Sequence, residues 1–184
     1  MRKTKTAALL MIGMLAAVTA VPQSAHAQAP ANAAPAVNDA EIAAIVVTAN
    51  AIDAEVGALA GEQATNAEVR AFGTTMVRDH NAVNEQAVAL VTKLGVKPVE
   101  SDVSRSLRAD ADKFRAELEQ LKGAKFDVAY MEHEVAYHGA VIAAVDQLLI
   151  PSAQNAELKA TLEAVRPALV AHLEHAKHLL STLK

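Results

Sequence analysis

Residues 125–149 read KFDVAYMEHEVAYHGAVIAAVDQLL, and on a wheel turning by about 100° per residue they divide into one apolar arc and one polar arc. Tyr130, Met131, Val141, Ile142, Val145 and Leu149 share the apolar arc. Asp127, Glu134 and His138 fall inside that arc rather than opposite it. A helix with such a stripe is stable only if the stripe is buried against other helices, so three ionisable groups here face a protein interior. Glu134 and His138, four residues apart, are surface neighbours, and Asp127 lies two turns earlier on the same line.

The flanking sequence repeats the helical period and nowhere alternates as a strand would. A first helix is predicted over residues 39–63, with Asp39 as its N-cap and Ile42, Ile45, Ile52, Val56 and Leu59 at helical spacing. A second starts at the cap Asn66, carries Val69, Phe72, Met76, Val83 and Leu90 on one face, and stops before Gly95. Pro98 breaks the chain next. A third, over residues 102–122, is more charged, with a thin stripe through Leu107, Ala111, Phe114 and Leu118, and ends at Gly123. The fourth is the stretch quoted above, ending before Pro151. The fifth spans residues 155–183 and contains Pro167, which predicts a kink or break near Val165. The fold class that follows is all-α: four long helices in an antiparallel four-helix bundle, with one additional shorter helix on the outside.

The beginning of the chain reads differently. Arg2, Lys3 and Lys5 precede an uncharged, mostly apolar run, and Ala25-His26-Ala27 supplies the small-x-small pattern of a signal-peptidase site. The run is about 15 residues, short of the roughly 20 that a spanning helix needs. Residues 1–27 are therefore expected to be a secretory signal peptide, residues 28–38 a flexible Ala/Pro-rich tether, and residues 39–184 the folded domain. This reading makes the protein exported and periplasmic. It leaves no transmembrane segment after cleavage and at most peripheral outer-membrane association.

Composition narrows the classes further. The net charge of −4 becomes −7 without the three cations of the leader, which argues against a nucleic-acid partner because phosphate binding needs a basic face. With no cysteine, the domain has neither disulfides nor thiolate chemistry. Aromatic residues make up 3% of the chain, a composition suited to close helix packing rather than to sheets.

The other long helices also place polar groups inward. His80 lies between Met76, Val83 and Ala87, His172 lies beside Leu169 and Ala176, and Asp53 sits near the edge of the first helix's stripe. A divalent transition metal such as zinc, copper or iron, held by His80, His138 and His172 with Asp53, Asp127 and Glu134 as further ligands or supports, is one reading of this pattern. The other is a non-catalytic structural or envelope-interaction protein in which a closed hydrogen-bond network of His, Tyr130, Asp127 and Asn84 fixes helix packing. An apolar arc covers about a third of a helix, so about two of the domain's six histidines would land there by chance. The accompanying carboxylates, not the number of histidines, separate the readings. Imidazole nitrogens converging within about 5 Å would mark a site, since zinc ligands sit about 2 Å from the ion.

His175 and His178 fall on the outer face with Ala171 and Thr182, where they decorate an exposed helix, and His133 sits at the edge of its stripe. No phosphate loop, serine elbow or His-Glu-x-x-His motif is present, and neither are the Glu-x-x-His pairs of di-iron bundles. The sequence thus offers a mononuclear site and no catalytic constellation.

Several blocks together resemble a known family: DAEVGALA at 53–60, NAEVRAFG at 66–73, MVRDH at 76–80, FDVAY at 126–130 with His138, and PALVAHL at 167–173. They are similar to the bacterial domain-of-unknown-function 4142 family. The resemblance spans about residues 39–183 and implies a ferritin-like helical bundle in an outer-membrane or periplasmic protein, with no established activity. The family pattern usually has Glu at the position of Asp53 and often Gln at that of Glu134. The carboxylate of Glu134 adds negative charge that favours a cation.

Overall fold

The computed structural model describes residues 37–183, and among these all regular structure is helical. The leader and most of the tether expected from sequence lie outside the described residues. Of the residues assigned to the tether, two are described: Val37 is buried and Asn38 caps the first helix.

Helix α1 spans Asp39–Gln63. Its cap is Asn38, not the expected Asp39: Asn38 Oδ1 accepts the N–H groups of Ala40 and Glu41, and the Glu41 carboxylate accepts the Asn38 N–H in return. Asp39 serves a different joint, since its carboxylate accepts the backbone N–H groups of Gln154 and Asn155 at 2.9 and 3.0 Å. Helix α2 spans Ala67–Leu94, capped by Asn66 and closed by Gly95 at φ 65°. That left-handed turn is one glycine adopts without strain. Helix α3, Asp102–Leu118, begins at the cap Ser101 and ends one turn sooner than predicted.

Helix α4 spans Ala124–Ala144 and continues through a wider π turn at Val145–Leu149 into a short turn at Ile150–Ser152. The helix therefore does not stop before Pro151. The wider turn meets a ring that lacks an N–H and crowds the preceding carbonyls, so the proline is absorbed rather than excluded. Helix α5 spans Ala156–Leu183 and runs through Pro167 without the expected break. Buried Leu158, Leu162, Leu169, Ala176 and Leu179 hold the segments on both sides of the proline in register, and this packing outweighs one lost backbone bond.

Helix α1 packs mainly along α2, α4 packs along α5, and α3 lies against α1. The α1–α2 approach is very close at one point. A Cβ on Gly57 would lie 2.8 Å from the Gly73 carbonyl oxygen, and one on Gly73 would lie 2.5 Å from the Gly57 carbonyl oxygen. Two apolar clusters fill the interior. One is built around Val56, Phe72, Met76, Phe126, Tyr130 and Leu179, the other around Ile42, Ile45, Val145, Leu149, Leu162 and Leu169. Along α2 and α5, His80 and His172 fall between residues of the two clusters, and on α1 Asp53 directly follows Ile52 of the first.

By length and mean hydropathy alone, Asp39–Gln63 and Ala124–Ser152 match helices that cross a membrane. Core helices of folded domains have the same property, and α1 is one.

Candidate metal centre

Four helices deliver the polar residues to one level of the interior: Asp53 from α1, His80 from α2, Glu134 and His138 from α4, and His172 from α5. Asp53, His80, Glu134 and His138 are all buried, and His172 is partly buried. Ligand atoms of His80, His138 and His172 lie within 4.8 Å of one another, and so do those of Asp53, Glu134 and His138. The three imidazole centroids form a near-equilateral triangle with sides of 5.7, 5.3 and 5.4 Å.

Each ring is held from behind by an acceptor. His80 Nδ1 stands 2.7 Å from Asn50 Oδ1, and the Asn50 amide nitrogen donates to the Val46 carbonyl, so the oxygen accepts and His80 Nδ1 donates. His138 Nδ1 donates to the Glu134 backbone carbonyl at 3.1 Å, with Glu134 Oε2 at 3.3 Å. His172 Nε2 donates to Asp79 Oδ2 at 3.2 Å. A neutral imidazole that donates through one nitrogen keeps a lone pair on the other. The remaining nitrogens, His80 Nε2, His138 Nε2 and His172 Nδ1, are buried without a hydrogen-bond partner among the described residues.

The carboxylates share this condition. Both oxygens of Asp53 are buried and accept no hydrogen bond from a described residue, and the buried Glu134 carboxylate has only the Tyr130 hydroxyl beside it, at a distance longer than a full hydrogen bond. Asp53 Oδ2 lies 3.3 Å from His80 Nε2 and 3.5 Å from His138 Nε2. Buried polar atoms are almost always paired, because leaving one unpaired costs about 1–3 kcal/mol. Atoms of this kind are concentrated here around one point, between Asp53, Glu134 and the three rings.

The electrostatics follow from burial. Burial lifts Asp53 well above the ordinary carboxylate range, the Glu134 carboxylate adds to this, and the His138 ring opposes it. Burial raises Glu134 to about 8, against the pull of the neighbouring Tyr130 hydroxyl. Burial also depresses His80 to about 3, and His138 and His172 deepen the effect. His172 is lowered by burial and by His138, while Asp79 acts the other way. Without a cation, burial favours the neutral forms of Asp53, Glu134, His80 and His172. A divalent ion at its centre would favour the carboxylates instead.

Asp127 does not join the cluster, which corrects the reading of it as a ligand or support. Its carboxylate accepts the backbone N–H groups of Thr65 and Asn66, both at 2.9 Å, and the Thr65 hydroxyl at 2.5 Å. It sits seven residues before Glu134, about 10 Å along the helix axis, where it meets the α1–α2 turn. His175 and His178 are exposed. His133 stacks on Phe114 with centroids 3.7 Å apart, and burial lowers it to about 4. Two contributors were not visible in the sequence reading, Asn50 behind His80 and Tyr137, whose hydroxyl donates to the Ala49 carbonyl at 2.9 Å. Asn50 precedes Asp53 by three residues, and that spacing alone places both on one helix face.

The sequence model of a domain of unknown function, DUF4142, matches residues 22–179. The chain belongs to the DUF4142 family. No curated protein and no solved structure matches it. Asp53, His80, Glu134, His138 and His172 of this DUF4142 chain all fall within the matched residues. The family carries no assigned activity, so the chemistry of the centre must be argued from its own atoms.

Proposed function

We propose that this DUF4142 protein binds one divalent transition-metal ion through His80 Nε2, His138 Nε2, His172 Nδ1 and Asp53, with Glu134 adjacent. The observation that carries the proposal is the position of Asp53 Oδ2, 3.3 and 3.5 Å from two unpaired imidazole nitrogens. Four donors at 2.0–2.1 Å from a tetrahedral ion stand about 3.3 Å from one another. The two His–Asp separations already have that length, so only the rings need to draw together.

The donor set fits the ion class. Neutral imidazoles suit zinc, copper or iron over calcium or magnesium. Asp53 and Glu134, both ionised, would balance a divalent charge in a dry interior. Asn50, Asp79 and the Glu134 carbonyl orient the three rings, which is how the outer shell of a metal site sets ligand direction and basicity. The long helices form a ferritin-like antiparallel four-helix bundle in this reading, and α3 is the accessory helix. Export to the periplasm, with at most peripheral contact with the outer membrane, completes the proposal. The protein acts as a metal-binding module rather than an enzyme.

Metal content of untagged protein, measured by plasma mass spectrometry before and after dialysis against zinc, copper or ferrous iron, tests this directly. The expected result is about one ion per chain, lost in His138→Ala. Protein that retains no ion, or whose ion survives His138→Ala, overturns the proposal.

A further inference from the structure

A cavity of about 210 Å³ opens onto the polar centre and extends away from it between the two helix pairs. At one end its wall includes Asn50, Asp53, His80, His138 and His172, and beyond them it is lined by side chains such as Val46, Leu90, Val141, Leu162, Val165 and Leu169. Protein interiors are packed as densely as organic crystals, with few voids larger than a water molecule, and an apolar cavity of about 150 Å³ is enough to take up benzene. This space is larger.

The sequence creates it. Alanines stand at positions 43, 49, 87, 140, 144 and 168 of the wall, where larger side chains would close the interior. The lining runs from His80 to Val91 on α2 and from His138 to Leu149 on α4, so the cavity is elongated by about 15 Å along the helices. It also reaches the surface, because Ala140 and Ala168 are exposed. A long apolar slot that ends at unpaired Asp53 and imidazole atoms matches a chain with one terminal oxygen better than a ring or a charged molecule. Apolar walls exclude a second polar group, and a net charge would lose its hydration in this dry interior.

We infer that this cavity binds an unbranched, uncharged aliphatic molecule of medium length with a terminal hydroxyl. The chain lies between the α1–α2 and α4–α5 pairs, and the hydroxyl meets the Asp53–His80–His138 end. This binding does not require the metal proposed above.

Isothermal titration with decan-1-ol tests the inference, using the full chain both stripped with EDTA and loaded with zinc. Saturable binding at one site per chain is expected. Ala87→Leu and Ala144→Leu, which fill the slot and leave every candidate metal ligand in place, should each weaken it at least tenfold while zinc content stays unchanged. Two substitutions on different helices guard against one that fails to fold, and circular dichroism checks both. Absence of saturable decanol binding overturns the inference, as does binding that both folded variants retain. Decanol binding to a protein that takes up no metal would leave this inference standing and remove the metal reading. Metal uptake without decanol binding would do the opposite.

Discussion

Asp53 Oδ2 stands 3.3 Å from His80 Nε2, with both atoms buried and neither hydrogen-bonded to a described residue. The pair is suited to a cation because, once the acid is ionised, its two facing atoms are both electron donors. Replacing the acid by its amide keeps the shape and removes the charge. Asp53→Asn should therefore lower zinc affinity by at least about 100-fold while the stability of the metal-free protein stays within about 1 kcal/mol, because the amide resembles the neutral acid that burial favours. Titration against a competing zinc chelator, with urea unfolding of the stripped protein alongside, reads both quantities. Unchanged affinity would remove Asp53 from the ligand set.

The orienting residues make a graded prediction. Asn50 Oδ1 accepts from His80 Nδ1 at 2.7 Å and touches no candidate ion position. Its loss in Asn50→Ala frees the ring to rotate and to change tautomer. Outer-shell losses of this kind typically cost about 10–100-fold in metal affinity. The same titration should thus place Asn50→Ala between the wild type and His138→Ala, and a variant equal to wild type would show that the Asn50–His80 bond does not tune the site.

The helices were readable from sequence because their ends carry local signals, Asn66 and Gly95 most plainly, and their stripes keep one period. The inward facing of His80, His138 and His172 was readable for the same reason, but their common height was not. A wheel reports angle but not height, however, and here the reading failed for Asp127: it shares the stripe of His138 but lies at the α1–α2 turn, holding Thr65 and Asn66. Asp39 failed in a related way. Its side chain looked like a cap for its own helix, yet its partners are Gln154 and Asn155, more than a hundred residues away. Prolines 151 and 167 are propensity signals that packing overrode. The cavity had no sequence signal, because alanine in a stripe reads as close packing and only the backbone spacing decides whether the space is filled.

The α1–α2 crossing predicts a destabilised variant far smaller in volume than most core mutations. A methyl group on Gly73 would meet the Gly57 carbonyl oxygen at 2.5 Å and the Ala60 Cβ at 2.9 Å, and two of its nearest neighbours are backbone atoms. Neither backbone can move aside without shifting a helix that carries Asp53 or His80. Gly73→Ala should cost about 2–3 kcal/mol in urea unfolding, in the upper range for overpacking, although alanine is the better helix former. A neutral or stabilising result would mean that the helices separate without cost.

The pH dependence of the metal-free protein should fall at both ends. His80, ordinarily near 6.5, is depressed by burial to about 3 in the folded state. Its contribution is therefore fully present above about 6.5 and is lost as the pH falls toward 3. Glu134, ordinarily near 4.5, is raised by burial to about 8. The folded state holds that proton more tightly, so stability is greatest below about 4.5 and declines as the pH rises to 8. The two limbs predict a maximum between about pH 4.5 and 6.5. Zinc should remove the alkaline limb, since it binds the deprotonated carboxylates and competes with their protons, and its affinity should rise with pH over the same interval. Thermal unfolding from pH 4 to 9, with EDTA and with saturating zinc, measures both curves. If the two stay parallel above pH 6.5, the buried acids and the ion are not linked.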